Sequence, residues 1–184
     1  MKNSTLTVLG LSFTALLILL LTKGKTIMEE TISKVWDYHS ERRIKTLHPS
    51  VRELVRDFIN EAERQGIKLR VTSALRTHAD QAKLYAKGRT EPGNVVTWAE
   101  PGESYHNYGL AVDVVEIRDG AAIWNNEKWP QIGQMGKSFG FEWGGDWQGK
   151  IDKPHFQMTF GNNIAMLQNK YNAGNFEGDF VALA

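Results

Sequence analysis

The sequence predicts an α+β fold: a single domain with a small, mostly antiparallel sheet flanked by helices, preceded by an N-terminal hydrophobic helix. Three observations predict it. A charge-free apolar run, residues 6–21 (LTVLGLSFTALLILLL), stands ahead of everything else. Behind it, segments of helical and of strand periodicity can be told apart. Those segments do not alternate regularly as strand–helix–strand units, so a parallel sheet is not expected.

The apolar run follows Lys2 and reads as an export signal or signal anchor. It lies at the short end of the ~17–25 residues that cross a bilayer as a helix. Leu20, Leu21, Thr22 and Lys23 offer no small-x-small cleavage site, so an uncleaved anchor over residues 1–27 is preferred to a cleaved peptide. Lys23 and Lys25 behind the run leave its orientation open. Residues 28–46 are charged and irregular and read as a juxtamembrane linker with some local helix.

The folded domain is expected over residues 47–172. Pro49 and Ser50 open an amphipathic helix in which Val51, Leu54, Val55, Phe58, Ile59 and Ala62 recur at three and four, with Gly66 as its stop. Ile67, Leu69 and Val71 alternate with Lys68 and Arg70, which predicts a strand. Residues 78–87 form a helix closed by Gly88, and residues 90–108, with Pro92, Gly93, Pro101 and Gly102, form a long loop. Residues 110–117 (LAVDVVEI) make a β-branched strand, and residues 118–130 a polar, Trp-containing insertion. A helix over 130–139 stops at Gly140, a strand covers 155–160 and a short helix 162–171. Residues 173–184 are a Gly-containing tail.

Composition narrows the function. The 184 residues carry a formal net charge of +1. Lys2, Lys23 and Lys25 are the only charged side chains in the first 25 residues, which leaves 19 basic and 21 acidic groups behind them, a net charge of −2. A nucleic-acid binder carries a basic excess, so no nucleic-acid partner is expected. The absence of cysteine removes disulfides, thiolate metal sites, cysteine nucleophiles and a lipidated cysteine anchor.

Two clusters carry chemistry. Asp113 sits in mid-strand between Val112 and Val114, where a carboxylate needs a cation or a metal beside it. His106 is seven residues earlier, which on a regular strand faces the other way. Gly109 permits the bend that would return it to the aspartate's face. His155 opens the last strand behind Pro154 and is the natural third ligand. Two histidines, one carboxylate and an open fourth position describe a catalytic zinc site rather than a structural one. Asp152, three residues before His155, could take a proton from an attacking water, although turn-capping is the plainer role for such a residue. A lone His-x6-Asp is most often structural. His39, His48 and His78 have no companion motif and read as surface or packing residues. Trp98, Trp124, Trp129, Trp143 and Trp147 read as core, with Trp143 or Trp147 a candidate for the cleft wall.

Ser104-x-His106-x-x-Gly109-x-Ala111-x-Asp113, followed by Asp152-x-x-His155, resembles the zinc D,D-/L,D-peptidase family of cell-wall peptidases. That family includes the vancomycin-resistance D-Ala-D-Ala dipeptidases and carboxypeptidases and the L-alanyl-D-glutamate endopeptidases of phage endolysins and bacteria. Ser73-Ala-Leu-Arg76-Thr, Gln81, Leu84-Tyr85, Gly88-Arg89-Thr90 and Glu142-Trp-Gly-Gly-Asp-Trp147 extend the likeness over residues 47–160. The resemblance implies zinc (Zn2+) held by His106, Asp113 and His155, with Asp152 as general base. It implies Arg76 as the oxyanion and carboxylate partner, and Ser104 and Gln81 as substrate-binding residues. Without it, Arg76 would read as a surface ion pair.

The implied substrate is the peptidoglycan stem peptide. The Gly-Arg-Thr, Trp-Gly-Gly-Asp-Trp and Pro154-His-Phe-Gln157 elements, and Asp rather than Glu at 152, resemble the L-alanyl-D-glutamate endopeptidases more than the D-alanyl-D-alanine carboxypeptidases. A monomer is expected, exported and anchored by its N-terminal helix toward wall or periplasm. The Hedgehog signalling domain resembles this fold and acts by binding alone, so a non-catalytic zinc domain is the alternative of another class.

Overall fold

Helix α2 (Pro49–Arg64) buries the stripe its periodicity predicts: Val51, Val55, Phe58, Ile59 and Ala62. His48 caps it, its Nδ1 accepting the Ser50 N–H at 3.2 Å, and Pro49 occupies the first turn, where no intrahelical N–H is needed. The chain turns at Gly66 (φ +76°) into strand β1 (Leu69–Ser73). The computed structural model describes residues 13–183.

After helix α3 (His78–Ala86) and a long loop, a 3-10 turn (Tyr105–Tyr108) leads into β2 (Ala111–Arg118). β3 (Ala121–Ile123), helix α4 (Trp129–Ser138), β4 (Glu142–Trp143), β5 (His155–Gln157) and helix α5 (Ile164–Asn172) follow. One sheet runs in the order β1-β2-β5-β4, with β3 paired to the far end of β2, and every pairing in it is antiparallel. Strand alternation then divides the residues. Val112, Val114 and Phe156 enter the core with α2 and α4, while Asp113, His155 and Gln157 take the opposite face.

The core is aromatic where α4 lies on the sheet. Phe58 and Phe156 rings are 4.9 Å apart, and Trp143 stacks on Phe156 at 6.3 Å. α4 fits there because it presents glycine. A Cβ at Gly133 would meet the Trp143 ring at 2.3 Å, and one at Gly136 would meet the Phe156 ring at 2.3 Å. Gly136→Ala should therefore destabilise the fold by about 1–3 kcal/mol through overpacking, against the ~1 kcal/mol that alanine normally gains in a helix. Denaturant unfolding measures the sign.

Helix α1 (Phe13–Lys45) covers the open edge of the sheet. An edge strand exposes unpaired N–H and C=O groups. Here the Val71 N–H donates to Ser40 Oγ at 2.9 Å, and Arg43 Nη1 donates to the Val71 carbonyl at 3.2 Å. Lys68 bonds Ser33, and buried Arg70 pairs with Asp37 and Glu63.

Two expectations need correction, the linker and the tail. Residues 28–46 are not an irregular linker, since α1 runs unbroken through all but its last position. No helix among the described residues is long and apolar enough to cross a membrane. Residues 6–12 of the apolar run lie outside the described residues. The tail holds a hairpin, β6 (Phe176–Glu177) with β7 (Phe180–Val181), whose Val181 is buried against the core.

Candidate active site

Antiparallel register sets three side chains in a row across the sheet. Asp113 faces Ser73 on one side and His155 on the other. The row is bent by a bulge between Val71 and Ser73, where Thr72 Oγ1 donates to the Asp113 carbonyl at 3.2 Å. His106 reaches the same face through the 3-10 turn. Gly109 ends that turn at φ +68°, and a Cβ there would meet the His48 nitrogen at 2.7 Å, so the reversal requires glycine. Ser104 caps the turn, its Oγ accepting the His106 N–H at 3.3 Å, and Asn107 completes a capping box.

His106 Nε2 and His155 Nδ1 each lie 3.2 Å from Asp113 Oδ1. Burial alone would raise the Asp113 carboxyl, but the two imidazoles outweigh it and hold the group well below the carboxylate range. Burial likewise disfavours a charged His155, yet the Asp113 hydrogen bond and charge raise it. The far nitrogens are already engaged. His106 Nδ1–H donates to the Ala74 carbonyl at 2.7 Å, and His155 Nε2–H donates to Gln157 Oε1 at 3.0 Å.

A carbonyl oxygen only accepts, so His106 Nδ1 carries the proton and, in the neutral ring, Nε2 turns a lone pair toward a carboxylate. His155 does the same with Nδ1. Such a cluster calls for a cation at its centre. Zinc binds nitrogen and oxygen at about 2.0–2.2 Å in tetrahedral sites, which sets ligand atoms roughly 3.3 Å apart. The three donor atoms here all lie within 4.8 Å of one another, so the residues fit zinc, and no other such group occurs among the described residues.

Asp152 approaches from the turn before β5. Its N–H donates to the Gly144 carbonyl at 3.0 Å, its own carbonyl accepts the His155 N–H at 3.2 Å, and Trp143 Nε1 ties the Lys153 carbonyl at 2.7 Å. Burial first, and then the Asp113 charge, raises the Asp152 carboxyl above its ordinary value, against the pull of His155, His106 and Arg76. Gly144 is needed for this approach, because a Cβ there would meet the Asp152 carbonyl at 2.4 Å and His155 Cβ at 3.1 Å. Gly144→Ala should move the turn and lower kcat about 10²-fold, the cost of a ~1 Å misplacement. Steady-state kinetics on the folded variant checks it.

Arg76 stands opposite, its Nη2 4.0 Å from Asp113 Oδ2 and 3.1 Å from Ser73 Oγ, and its Nη1 3.0 Å from Gln81 Oε1. Gln81 needs correction as a substrate contact. It is fully buried, and its Nε2 donates to the Ala99 carbonyl at 2.7 Å, so it holds Arg76 and the 97–99 loop from behind. Ser104 lines the cleft, with its oxygen committed to the cap. The cleft is about 680 Å³. Trp147 forms part of its wall, 4.9 Å from the His155 ring, whereas Trp143 belongs to the core. Trp98 and Lys150 meet at the rim, Nζ 4.2 Å from the ring. Gln157, read in the sequence only as the end of the Pro-His-Phe-Gln element, is two residues from His155 and so on the same strand face.

A family model described as VanY, D-alanyl-D-alanine carboxypeptidase, matches residues 44–155. The peptidoglycan L-alanyl-D-glutamate endopeptidase CwlK of Bacillus subtilis (strain 168) is 38% identical over 138 residues, 66% of this chain and 83% of that protein. The L-alanyl-D-glutamate peptidase of Listeria phage A118 is 28% identical over 120 residues, 64% of this chain but 40% of that longer protein. Among solved structures, the Serratia marcescens L-Ala D-Glu endopeptidase ChiX is similar at 32% identity and a TM-score of 0.49, covering 66% of this chain and 86% of that one. The chain is a hydrolase that belongs to the VanY family of D-alanyl-D-alanine carboxypeptidases.

Proposed function

We propose that this chain is a zinc-dependent peptidase that cuts the L-alanyl-D-glutamate bond of peptidoglycan stem peptides. The observation that carries the choice of bond is the 38% identity to an L-alanyl-D-glutamate endopeptidase across 83% of its length. The cluster of His106, Asp113 and His155 beside Asp152 and Arg76 supports hydrolysis.

Zinc bound there supplies Lewis acidity and lowers the pKa of water toward ~7. Asp152 takes the proton of the attacking water and returns it to the departing amine. Its raised carboxyl makes it a stronger base than an ordinary aspartate for the first of those transfers. Arg76, held by Gln81 and Ser73, presents guanidinium N–H groups to the carbonyl oxygen as negative charge develops. Trp147 shields one side of the cleft from solvent.

Synthetic peptides test this. A zinc-loaded sample should cleave an L-Ala-γ-D-Glu-containing peptide and spare its all-L counterpart. The family match supports a second reading, D-alanyl-D-alanine carboxypeptidase. Release of terminal D-Ala in preference to internal cleavage would establish that reading instead. We further propose that residues 6–21 direct the chain, as a monomer, to the membrane and the wall side. Fractionation of cells expressing the chain with and without residues 1–27 checks the address.

A further inference from the structure

Most of the site's polar groups serve the three metal-facing atoms directly. One chain of hydrogen bonds serves them from behind. Gln157 is buried on β5, two residues after His155 and on the same face. Its Oε1 accepts from His155 Nε2 at 3.0 Å, and its Nε2 donates to Glu142 Oε2 at 2.8 Å. The direction of this chain is forced. A carboxylate only accepts, so the Gln157 atom facing Glu142 is the amide nitrogen, and the atom facing His155 is the carbonyl oxygen.

That oxygen can only accept, so the His155 proton sits on Nε2 and the Nδ1 lone pair points to Asp113 and the metal position. Register builds the arrangement. Gln157 lies directly opposite Glu142 in the β4–β5 pair and opposite Ala111 in the β2–β5 pair. On the β2 side only a methyl group stands beside the amide, which leaves it room to lie between the two partners. Thr159 Oγ1, at 3.4 Å from Glu142 Oε1, steadies the other end.

We propose that Gln157, oriented by Glu142, is a positioning residue that selects the Nδ1-ligating form of His155 and so sets the metal affinity of the site. Neither residue belongs to the ligand set or touches the reacting atoms. The inference rests on the zinc reading of the site and is independent of which peptide bond is cut. Outer partners of this type typically change metal affinity by about 10–100-fold when removed.

The test is zinc affinity of the full chain by competition with a chromophoric chelator, on two variants with opposite expectations. Gln157→Met keeps volume and removes the acceptor. Glu142→Gln combined with Gln157→Glu keeps the donor–acceptor chain, because the amide introduced at position 142 donates to the carboxylate introduced at position 157, and that carboxylate accepts from His155 Nε2. The methionine variant should bind zinc about 10–100-fold more weakly than the parent, with the His155 Nε2–H resonance lost from the 15N spectrum of the zinc-loaded protein. The double variant should keep both affinity and resonance. A residue that merely packs would give the reverse order, since methionine preserves an apolar contact and a buried carboxylate does not. The reverse order, or parental affinity in the methionine variant, overturns the proposal. A parent chain that binds no zinc removes the metal reading along with it, whereas failure to cleave peptidoglycan with these affinities intact touches only the substrate.

Discussion

Asparagine in place of Asp152 is expected to leave zinc bound and to lower kcat by about 10²–10⁴-fold, the range a positioned general base contributes. The side chain keeps its size, and the turn that carries it is held by backbone bonds to Gly144 and His155 that the substitution does not touch. Only the capacity to accept a proton is lost. The pH profile gives the same residue a second signature. Burial and the Asp113 charge raise the Asp152 carboxyl, and the base works only when ionised. The parent's kcat/KM should therefore show an acid limb, with activity falling as the carboxyl takes up its proton. In the asparagine variant that limb should disappear from the residual rate. Parental turnover in this variant would remove Asp152 from the mechanism.

His106→Ala should behave differently, losing metal and activity together. Structural zinc sites bind with apparent free energies of about 10–16 kcal/mol, so one ligand in three or four is worth roughly 10²–10⁴-fold in affinity. The substitution also leaves the buried Ala74 carbonyl without its donor, at a cost of about 1–3 kcal/mol to the apo fold. Equilibrium dialysis against zinc with parallel rate measurements separates the two variants. Asp152→Asn should retain stoichiometric metal without turnover, and His106→Ala should show neither. A His106→Ala variant that holds zinc at parental affinity would show that the histidine is no ligand.

Much of this was legible in the sequence because the relevant signals are local. α2 could be read because its apolar spacing is regular, and Asp113 stood out as one carboxylate among valines. The return of His106 to the Asp113 face could be reasoned from Gly109, whose left-handed φ makes the bend. What escaped has nonlocal or polar causes. α1 docks on β1 mainly through Ser33, Asp37, Ser40 and Arg43, so no hydrophobic stripe marks it. β4 is two residues long and becomes a strand only because Gln157 and Phe156 lie beside it.

β3 has a local signal that the polar character of residues 118–130 obscures. Asp119 (φ 51°) and Gly120 (φ 79°) form the tight turn that an Asp-Gly pair signals between strands. Gln81 misleads because the resemblance that implies a substrate contact there says nothing of its depth. Its burial behind Arg76 depends on a loop 16 to 18 residues away in sequence. Arg76 itself needed the family resemblance, since a single arginine after a strand carries no signal of its own.

The most direct test of the central claim is mass spectrometry of the fragments released when the zinc-loaded chain digests purified peptidoglycan. The account predicts new L-alanine carboxyl termini paired with new D-glutamate amino termini, and neither with Asp152→Asn. Intact L-alanyl-D-glutamate linkages after digestion, with zinc demonstrably bound, would contradict it.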